Sequence, residues 1–387
     1  MTTAKAAGSA PRGEGGKPGI TSLKIEGFRA LRKLTIEGLG RVNLITGRNN
    51  TGKSSVLEAL RLLATEASAL VIYSILQHRE GAFEDKRIIS SWMSISSEMW
   101  LLASLFSGFP AMKSMHEPVS IRGNGGKRSL EVVISKKWFS RRDGSAGDEG
   151  VEIAEEKPLA ADNQGLLIEV KTAGRTQLIP LANILAESGG GNGYSDVPPL
   201  PCIYIGSHGV DSAKELGALW DRVVLSDQEQ DVVDALRIID PQISAVSMVG
   251  GDEPLRPRVA IVRTSGFKRP VPLRSCGDGL NRLFGIVLSL VNARGGFLLI
   301  DEFENGMHHT VQLDTWRAIF RLARNLDVQI FATSHSWDAI EAFQKAAAES
   351  PEDGVLVRLS RRDDKIISTV FREDELAVAT RDGIEVR

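Results

Sequence analysis

A glycine-rich stretch near the N-terminus has the residue types and the spacing of a phosphate-binding loop. Gly47 and Gly52 bracket four residues, and the pair Lys53 and Ser54 completes the pattern. Glycines let backbone amides turn toward phosphate oxygens, a lysine can reach the β- and γ-phosphates, and a serine hydroxyl can bind Mg²⁺. The alternative is a chance glycine-rich turn. The candidate ATP-binding residues are Gly47, Arg48, Asn49, Asn50, Thr51, Gly52, Lys53, Ser54 and Ser55.

An apolar run that ends in two carboxylates could supply the second half of this chemistry. Residues 297–300 read Phe-Leu-Leu-Ile, and Asp301 and Glu302 follow directly. In such a pair, the first carboxylate can hold the metal, and the second can orient or deprotonate the attacking water. Taken alone, the pair could also be a solvated strand end. Beside a phosphate loop it predicts hydrolysis, with Ser54 and Asp301 on the metal side and Glu302 as the base.

His335 follows another apolar run, residues 328–333, and we predict that it senses the γ-phosphate. The carboxyl ends of parallel strands are where open sheets bind their ligands. A structural hydrogen-bonding role is the alternative. His308 and His309 are adjacent, so they should point apart on a helix, and no third histidine or cysteine stands at a zinc-like spacing. A zinc site is therefore not expected.

The elements that position these residues follow from the spacing of apolar residues. Alternating apolar residues and short apolar runs predict strands, and apolar residues recurring every three or four positions predict helices. In the C-terminal third the two types alternate, which favours a parallel sheet covered by helices and an α/β fold class. We expect strands at 22–28, 34–36, 42–46, 297–301 and 328–333, and helices at 53–67, 279–292, 311–324 and 337–348.

The middle of the chain has a different pattern. Residues 68–105 look helical, residues 118–178 read as short strands with polar interruptions, and residues 211–239 are helical again. This predicts an inserted α+β subdomain at 68–199 between the two parts of one domain, 21–67 and 200–387. Residues 1–20 are rich in Gly, Ala, Pro and Lys, which predicts a disordered tail.

Composition limits the possible surroundings of the protein. The chain has 387 residues, 42% of them hydrophobic and 25% charged, which is ordinary for a soluble globular protein. Its formal net charge of -2 provides no global basic field for nucleic acid. No apolar run is long enough to span a bilayer, and two cysteines do not indicate an oxidising compartment. We therefore expect a cytoplasmic protein without a membrane partner.

The order of the motifs resembles the ABC-type head ATPases of the RecF and SMC group, particularly the smaller OLD-like ATPases. Residues 22–29 resemble the opening strand of that group, residues 47–55 its Walker A motif, and residues 301–308 its joined Walker B and D-loop. The resemblance covers about residues 20–66 and 200–345. It implies a P-loop NTPase fold with an ABC-type mixed or parallel sheet flanked by helices.

Residues 275–279 occupy the position of the signature motif of that group, as a degenerate copy. In the group, the signature contacts the γ-phosphate bound to the opposite protomer. The resemblance therefore implies that Ser275 and Gly277 act in trans, so that ATP joins two copies into a homodimer. The other interpretation is a flexible turn that caps the following helix. The chain stops soon after His335, so we do not expect the Toprim nuclease domain of larger OLD proteins.

These features predict a switch or motor in DNA repair or anti-phage defence, acting with a separately encoded nuclease or toxin. Residues 136–142 combine four cations with two aromatic side chains, which suits DNA contacts, although the acidic residues nearby favour a solvated hairpin end. A second hypothesis, using the same site, is an ATP-gated scaffold or sensor for a protein partner with slow turnover. A transporter-coupled subunit is disfavoured by the insertion, the degenerate signature and the lack of a clear Q-loop glutamine.

Overall fold

The computed structural model describes residues 18–79, 101–110, 115, 117–142, 150–155, 164–185, 200–210, 213–251, 258–350 and 353–381. The strands are β1 (Ser22–Phe28), β2 (Leu31–Glu37), β3 (Val42–Gly47), β4 (Val119–Asn124), β5 (Leu130–Arg142), β6 (Gly150–Ala154), β7 (Gln164–Thr172), β8 (Arg175–Pro180), β9 (Cys202–Ile205), β10 (Ile243–Val249), β11 (Val259–Thr264), β12 (Val271–Pro272), β13 (Phe297–Ile300), β14 (Gln329–Thr333), β15 (Gly354–Arg362) and β16 (Lys365–Phe371). The helices are α1 (Lys53–Ala64), α2 (Ala69–Arg79), α3 (Leu181–Leu185), α4 (Ala213–Asp221), α5 (Gln228–Ile239), α6 (Asp278–Asn292), α7 (His309–Asn325), α8 (Trp337–Ala348) and α9 (Glu373–Arg381).

Six of the described strands form a sheet in the order β16–β15–β3–β14–β13–β9. Its strands run parallel except for β16, which pairs antiparallel with β15. The three central strands β3, β13 and β14 are mostly apolar and are buried along their whole length, as expected for strands that are covered on both faces. The predicted α/β class is therefore confirmed.

Alternate residues of this sheet face two separate hydrophobic cores. On one face, Leu44, Leu298 and Ile330 pack with helices α5 to α8. On the other face, Ile45 and Leu299 pack with α1 and with the second sheet. Because both faces are covered, the carboxyl-end edge of the parallel strands is the part left for ligands. The segments that follow β3, β13 and β14 meet at this edge.

The second sheet is antiparallel and joins the N-terminal hairpin to the middle of the chain. The described strands follow the order β2–β1–β4–β5–β7–β8, with β6 paired to β5. Ile25 of β1 lies opposite both Leu34 of β2 and Ile121 of β4. The sheet and its core therefore cross the proposed limit between residues 67 and 68. The domain boundaries themselves stay a prediction.

Several elements depart from the expected pattern because contacts distant in sequence decide them. The helical region expected at 211–239 is two helices, since α4 ends at Asp221, α5 begins at Gln228, and Leu225 between them has a left-handed φ of 64°. Strand β9 has only four residues, too few to show a period, and it is fixed by parallel pairing with β13. The hairpin formed by β15 and β16 likewise extends the sheet beyond the predicted strands.

The N-terminal segment packs against the rest of the chain from an earlier residue than the sequence predicts. Residues 1–17 of the predicted disordered tail lie outside the described residues. Ile20, which that prediction includes in the tail, is buried, and its backbone exchanges two hydrogen bonds with the side-chain amide of Gln329. In the part of the chain that the structure describes, we find no helix with the length and apolarity needed to cross a bilayer.

Candidate nucleotide site

The loop between β3 and α1 has the backbone conformation that a phosphate cradle needs. Three of its residues have positive φ, namely Gly47 at 145°, Asn50 at 62° and Gly52 at 85°. Glycine adopts such angles without strain, and asparagine tolerates the left-handed region better than most residues. A side chain at Gly47 would place its Cβ 2.4 Å from the carbonyl oxygen of Leu359, so only glycine fits there. The loop thus turns sharply and delivers the chain to the N-terminus of α1.

The other loop residues differ in their exposure to solvent. The tip is formed by Arg48, Asn49 and Asn50, which are exposed, whereas Thr51 and Ser55 are buried. Thr51 donates a hydrogen bond from Oγ1 to the carbonyl of Arg48 at 2.8 Å, which closes the turn from within. At the start of α1, the backbone amides without an intrahelical partner and the helix dipole both favour an anion. The nine predicted loop residues therefore form one continuous turn that leads into the N-terminus of α1.

Lys53 folds its side chain back over the loop. Its Nζ donates to the carbonyl oxygens of Gly47 at 2.7 Å and of Arg48 at 3.1 Å. Burial lowers the pKa of Lys53, and the nearby carboxylates, first Asp301 and then Glu302, oppose that shift. The ammonium group is thus held within the loop by carbonyl oxygens, which a bound phosphate oxygen could replace.

Asp301, at the end of β13, lies next to the hydroxyl of Ser54. The Oγ of Ser54 is 3.4 Å from Oδ1 of Asp301, which also accepts a hydrogen bond from the Thr333 hydroxyl. The hydroxyl of Tyr204, on β9, lies 3.5 Å from Oδ2. Asp301 is only 8% exposed, so these contacts fix the orientation of its carboxylate. A hydroxyl and a carboxylate oxygen side by side fit Mg²⁺, which binds hard oxygen ligands.

Glu302 sits in an unusual backbone conformation. Its φ of 49° is left-handed, a region that costs a non-glycine residue on the order of 1–3 kcal/mol and that clusters at functional sites. Its backbone N–H donates to Oγ1 of Thr333 at 2.8 Å. Its Oε2 accepts a 2.6 Å hydrogen bond from the amide of Asn305, which also donates to the carbonyl of Ser207 at 3.1 Å. The carboxylate is therefore held in place by a neighbouring amide.

His335 lies just past the end of β14, beside the turn that carries Glu302. The two segments are joined through the backbone, because the N–H of Phe303 donates to the carbonyl of Thr333 at 2.9 Å. The imidazole is 53% exposed, and its Nδ1 lies 3.0 Å from Oε1 of Glu304. The structure thus brings His335 to the same sheet edge as the two carboxylates.

The signature-like residues are set apart from this cluster. A single 3₁₀ turn, Leu273–Cys276, precedes Gly277, whose φ of 122° lets α6 start at Asp278. Ser275 and Gly277 are both exposed. Among the described residues, no hydrogen bond or ion pair joins Ser275 or Gly277 to Lys53 or Asp301. The structure therefore does not bring the trans candidates to the loop of their own chain.

The two adjacent histidines do not point apart, and that prediction is wrong. Their ring centroids are 4.1 Å apart with a 41° tilt. The reason is that His308 is not helical: it is the N-cap of α7, with an extended backbone, and its ring accepts from the backbone N–H of Thr310. His308 therefore has a capping role.

The basic stretch 136–142 belongs to β5, and residues 138–142 pair with β6 in an antiparallel hairpin. Trp138 is 5% exposed and packs in the second core, so its ring is not available to stack on a base. Lys137 pairs with Glu155 at 2.6 Å, and this hydrogen bond raises its pKa. The side chains of Arg141 and Arg142 lie outside the described residues.

The site also contains residues to which the sequence pattern assigned no role: Thr333, Tyr204, Glu304 and Asn305. Thr333 bridges Asp301 and the backbone of Glu302, and the parallel register that sets Ala332 beside Ile300 could have indicated it. Tyr204 carried no such signal, because its short strand reaches β13 only through pairing between residues far apart in sequence.

Two family models match the chain and together cover both halves of this site. Residues 19–104 match the model described as "AAA ATPase domain", and residues 206–340 match "AAA domain, putative AbiEii toxin, Type IV TA system". Among solved structures, an SMC head, crystallised bound to the C-terminal winged-helix domain of ScpA, is similar over 92% of this chain and 99% of that chain. Its TM-score is 0.50 at 13% identity. The chain has a RecF/SMC-like, ABC-type ATPase fold.

Curated relatives agree with this assignment. The ATPase is 22% identical to an "ATP/GTP phosphatase" of Helicobacter pylori over 85% of this chain and 89% of the relative. A shorter stretch of 49 residues is 47% identical to the DNA replication and repair protein RecF of Acinetobacter baylyi, covering 13% of this chain and 14% of RecF. The predicted resemblance to the RecF and SMC group is therefore confirmed, and these matches support ATPase activity.

Proposed function

We propose that this ATPase binds and hydrolyses ATP with Mg²⁺ as a nucleotide-sandwiched homodimer, and that it acts as a switch for a separate effector. One observation carries the catalytic part of this proposal. Lys53, Ser54, Asp301 and Glu302, from two segments far apart in sequence, meet at the edge where the parallel strands end. That constellation supplies a phosphate-binding cation, two oxygen ligands and a general base in one place.

Each residue has a separate task in the proposed reaction. Lys53 exchanges its two carbonyl contacts for the β- and γ-phosphate oxygens of ATP, and the first amides of α1 bind the same phosphates. Ser54 and Asp301 would hold Mg²⁺, which neutralises charge on the phosphates when bound. Glu302 orients the attacking water and accepts its proton, once the amide of Asn305 yields that oxygen. His335 approaches the γ-phosphate from the neighbouring turn.

The exposed signature turn supports a site completed by a second copy. Ser275 and Gly277 lie on the surface at the start of α6, with a hydroxyl and a helix N-terminus available to a γ-phosphate on a facing protomer. In that arrangement ATP contributes to the interface itself, so that binding joins two heads and hydrolysis releases them.

The proposed biological role is a switch in DNA repair or anti-phage defence. The RecF-like stretch favours the first setting, and the model that describes a toxin of a type IV toxin–antitoxin system favours the second. The burial of Trp138 and the pairing of Lys137 give little support to DNA contacts through residues 136–142. We therefore propose that the switch acts on a protein effector, a separately encoded nuclease or toxin.

A second candidate is an ATP-gated scaffold for a protein partner, with slow turnover. The similar SMC head was crystallised with a domain of ScpA bound, which is an example of a protein partner on the same fold. The left-handed conformation of Glu302 favours the hydrolytic role over the scaffold, because strain of this kind is commonly retained where chemistry needs it.

Light scattering on Glu302→Gln protein, with and without ATP and Mg²⁺, tests the proposal. The variant keeps the shape of the side chain but lacks the base, so it should bind ATP without consuming it. We expect its mass to double only when ATP and Mg²⁺ are both present, and we expect phosphate release only from the wild type. A mass that does not respond to ATP would refute the nucleotide-sandwiched dimer. A doubling without measurable wild-type turnover would favour the scaffold.

A further inference from the structure

One carboxylate oxygen of Glu304 accepts hydrogen bonds from the turn that follows β14. Oε1 accepts hydrogen bonds from the backbone N–H groups of His335 at 2.9 Å and of Ser336 at 3.1 Å. The same oxygen lies 3.0 Å from Nδ1 of the His335 ring. The Glu304 side chain is only 10% exposed. A nearly buried carboxylate oxygen that accepts two backbone N–H groups is a strong local constraint, because hydrogen bonds to a charged acceptor are stronger than neutral ones.

The backbone that carries Glu304 is held in place by the two residues before it. Phe303 is fully buried and stacks on Trp316, with ring centroids 3.9 Å apart. Backbone bonds tie Glu302 and Phe303 to Thr333 on the adjacent strand. The turn that carries the proposed base and the turn that carries the proposed sensor are thus connected at three successive residues. The two turns are therefore fixed relative to each other, and Glu304 makes the last of the three connections.

The position of the carboxylate bears on which ring nitrogen of His335 carries a proton. An ionised carboxylate can only accept hydrogen bonds, so a bare Nδ1 lone pair 3.0 Å from it would be repelled. A proton on Nδ1 removes that repulsion. The remaining nitrogen, Nε2, then accepts a hydrogen bond from water when the ring is neutral and donates to a phosphate oxygen when the ring is charged.

We propose that Glu304 is a positioning residue for His335, which holds the turn after β14 and fixes the ring proton on Nδ1, so that Nε2 is the nitrogen that meets the nucleotide complex. The catalytic consequence rests on the proposed function. The effect on the tautomer does not, because it requires neither ATP nor turnover.

Nitrogen NMR on ¹⁵N-histidine-labelled protein tests the tautomer directly. In the neutral form of the ring one nitrogen carries a proton and the other does not, so the spectrum distinguishes them. The His335→Ala variant identifies the signal. We expect Nδ1 of His335 to carry the proton in the wild type, and we expect that preference to vanish in Glu304→Ala. A wild-type ring protonated on Nε2, or a preference unchanged in Glu304→Ala, would overturn the proposal.

Steady-state ATP hydrolysis tests the consequence. We expect Glu304→Ala to lower kcat roughly 10- to 100-fold, the scale of losing a hydrogen bond to a charged group, with little change in KM. Glu304→Gln keeps an acceptor oxygen for the turn, so it should recover much of that loss and should fold like the wild type. Glu349→Gln is the matched control, since Glu349 is a half-exposed carboxylate that pairs with Arg317 away from the site.

A double-mutant cycle separates positioning from general destabilisation. If Glu304 acts through His335, the double variant Glu304→Ala/His335→Ala should be no slower than the slower single variant. Losses that multiply would overturn the proposal, because they would mean that Glu304 acts independently of the ring. A wild type that hydrolyses no ATP would refute the proposed function instead, and the NMR result would still decide the role of Glu304.

Discussion

The two candidate parts of the ATP site differ in how complete they are within one chain. Around Lys53 and Asp301, each functional side chain already has a partner: carbonyls hold the ammonium, and hydroxyls hold the carboxylate. At the signature turn, Ser275 and Gly277 are exposed. The first part is preorganised, which is what electrostatic stabilisation of a transition state requires. The second is exposed to solvent, and this contrast is why we propose that a second copy is needed.

The largest effects should come from the preorganised part. Substitutions of its two principal residues should change different quantities, ATP affinity in one case and kcat in the other. Lys53→Ala removes the cation that contacts the phosphates, so ATP affinity should fall at least about 10-fold, as expected for a lost charge-assisted hydrogen bond. Glu302→Gln should bind ATP as tightly as the wild type, while kcat falls roughly 10²- to 10⁴-fold, the range for general base catalysis. Fluorescent-nucleotide binding and phosphate release measure the two quantities. Equal loss of binding in both variants would contradict these roles.

Thr333→Val should have an intermediate effect. The substitution keeps the volume of the side chain but removes the hydroxyl that donates to Asp301 and accepts from the backbone of Glu302. Residues that orient metal ligands typically change metal affinity by about 10- to 100-fold, so the Mg²⁺ concentration for half-maximal turnover should rise on that scale. Magnesium titrations of ATP hydrolysis measure it.

Thr315→Val is the control for Thr333→Val. Thr315 is equally buried, but among the residues that the structure describes its hydroxyl bonds only to the carbonyl of Val311 within α7. It should leave the magnesium dependence unchanged. If both variants shift it equally, the effect would belong to buried threonines in general and not to the contact with Asp301.

The residues of this preorganised part could be proposed from the sequence because their signals are local. The phosphate loop lies within nine consecutive residues, and Asp301 and Glu302 end an apolar strand, so each motif could be identified without knowing the fold. The supporting residues could not be found in this way. Tyr204 and Thr333 reach Asp301 across neighbouring strands, and only the sheet order brings them together. The role of Glu304 depends on a turn 31 residues further along the chain.

The pairing of the antiparallel sheet could not be predicted for a related reason. Alternating apolar residues at 118–178 correctly indicated strands, but the pattern does not identify their partners. Pairing between β1 and β4 joins segments about a hundred residues apart, so the sheet extends the N-terminal hairpin. The burial of Trp138 could not be predicted for the same reason, since its side chain faces the core that this pairing creates.

The smallest effect on turnover should come from Ser275→Ala. The hydroxyl makes no contact with the loop of its own chain among the described residues, so the variant should fold and bind ATP like the wild type. Turnover should fall by about 10-fold, the scale of one lost hydrogen bond to a charged oxygen, if Ser275 reaches a phosphate on the facing copy.

Mixing two variants tests directly whether Ser275 acts on the facing copy. Added to Lys53→Ala protein, whose signature turn is intact, Ser275→Ala protein should regain turnover, because one composite site then contains both a working loop and a working serine. If mixing restores nothing while light scattering shows that the two variants associate, Ser275 only caps α6, and each chain completes its own site.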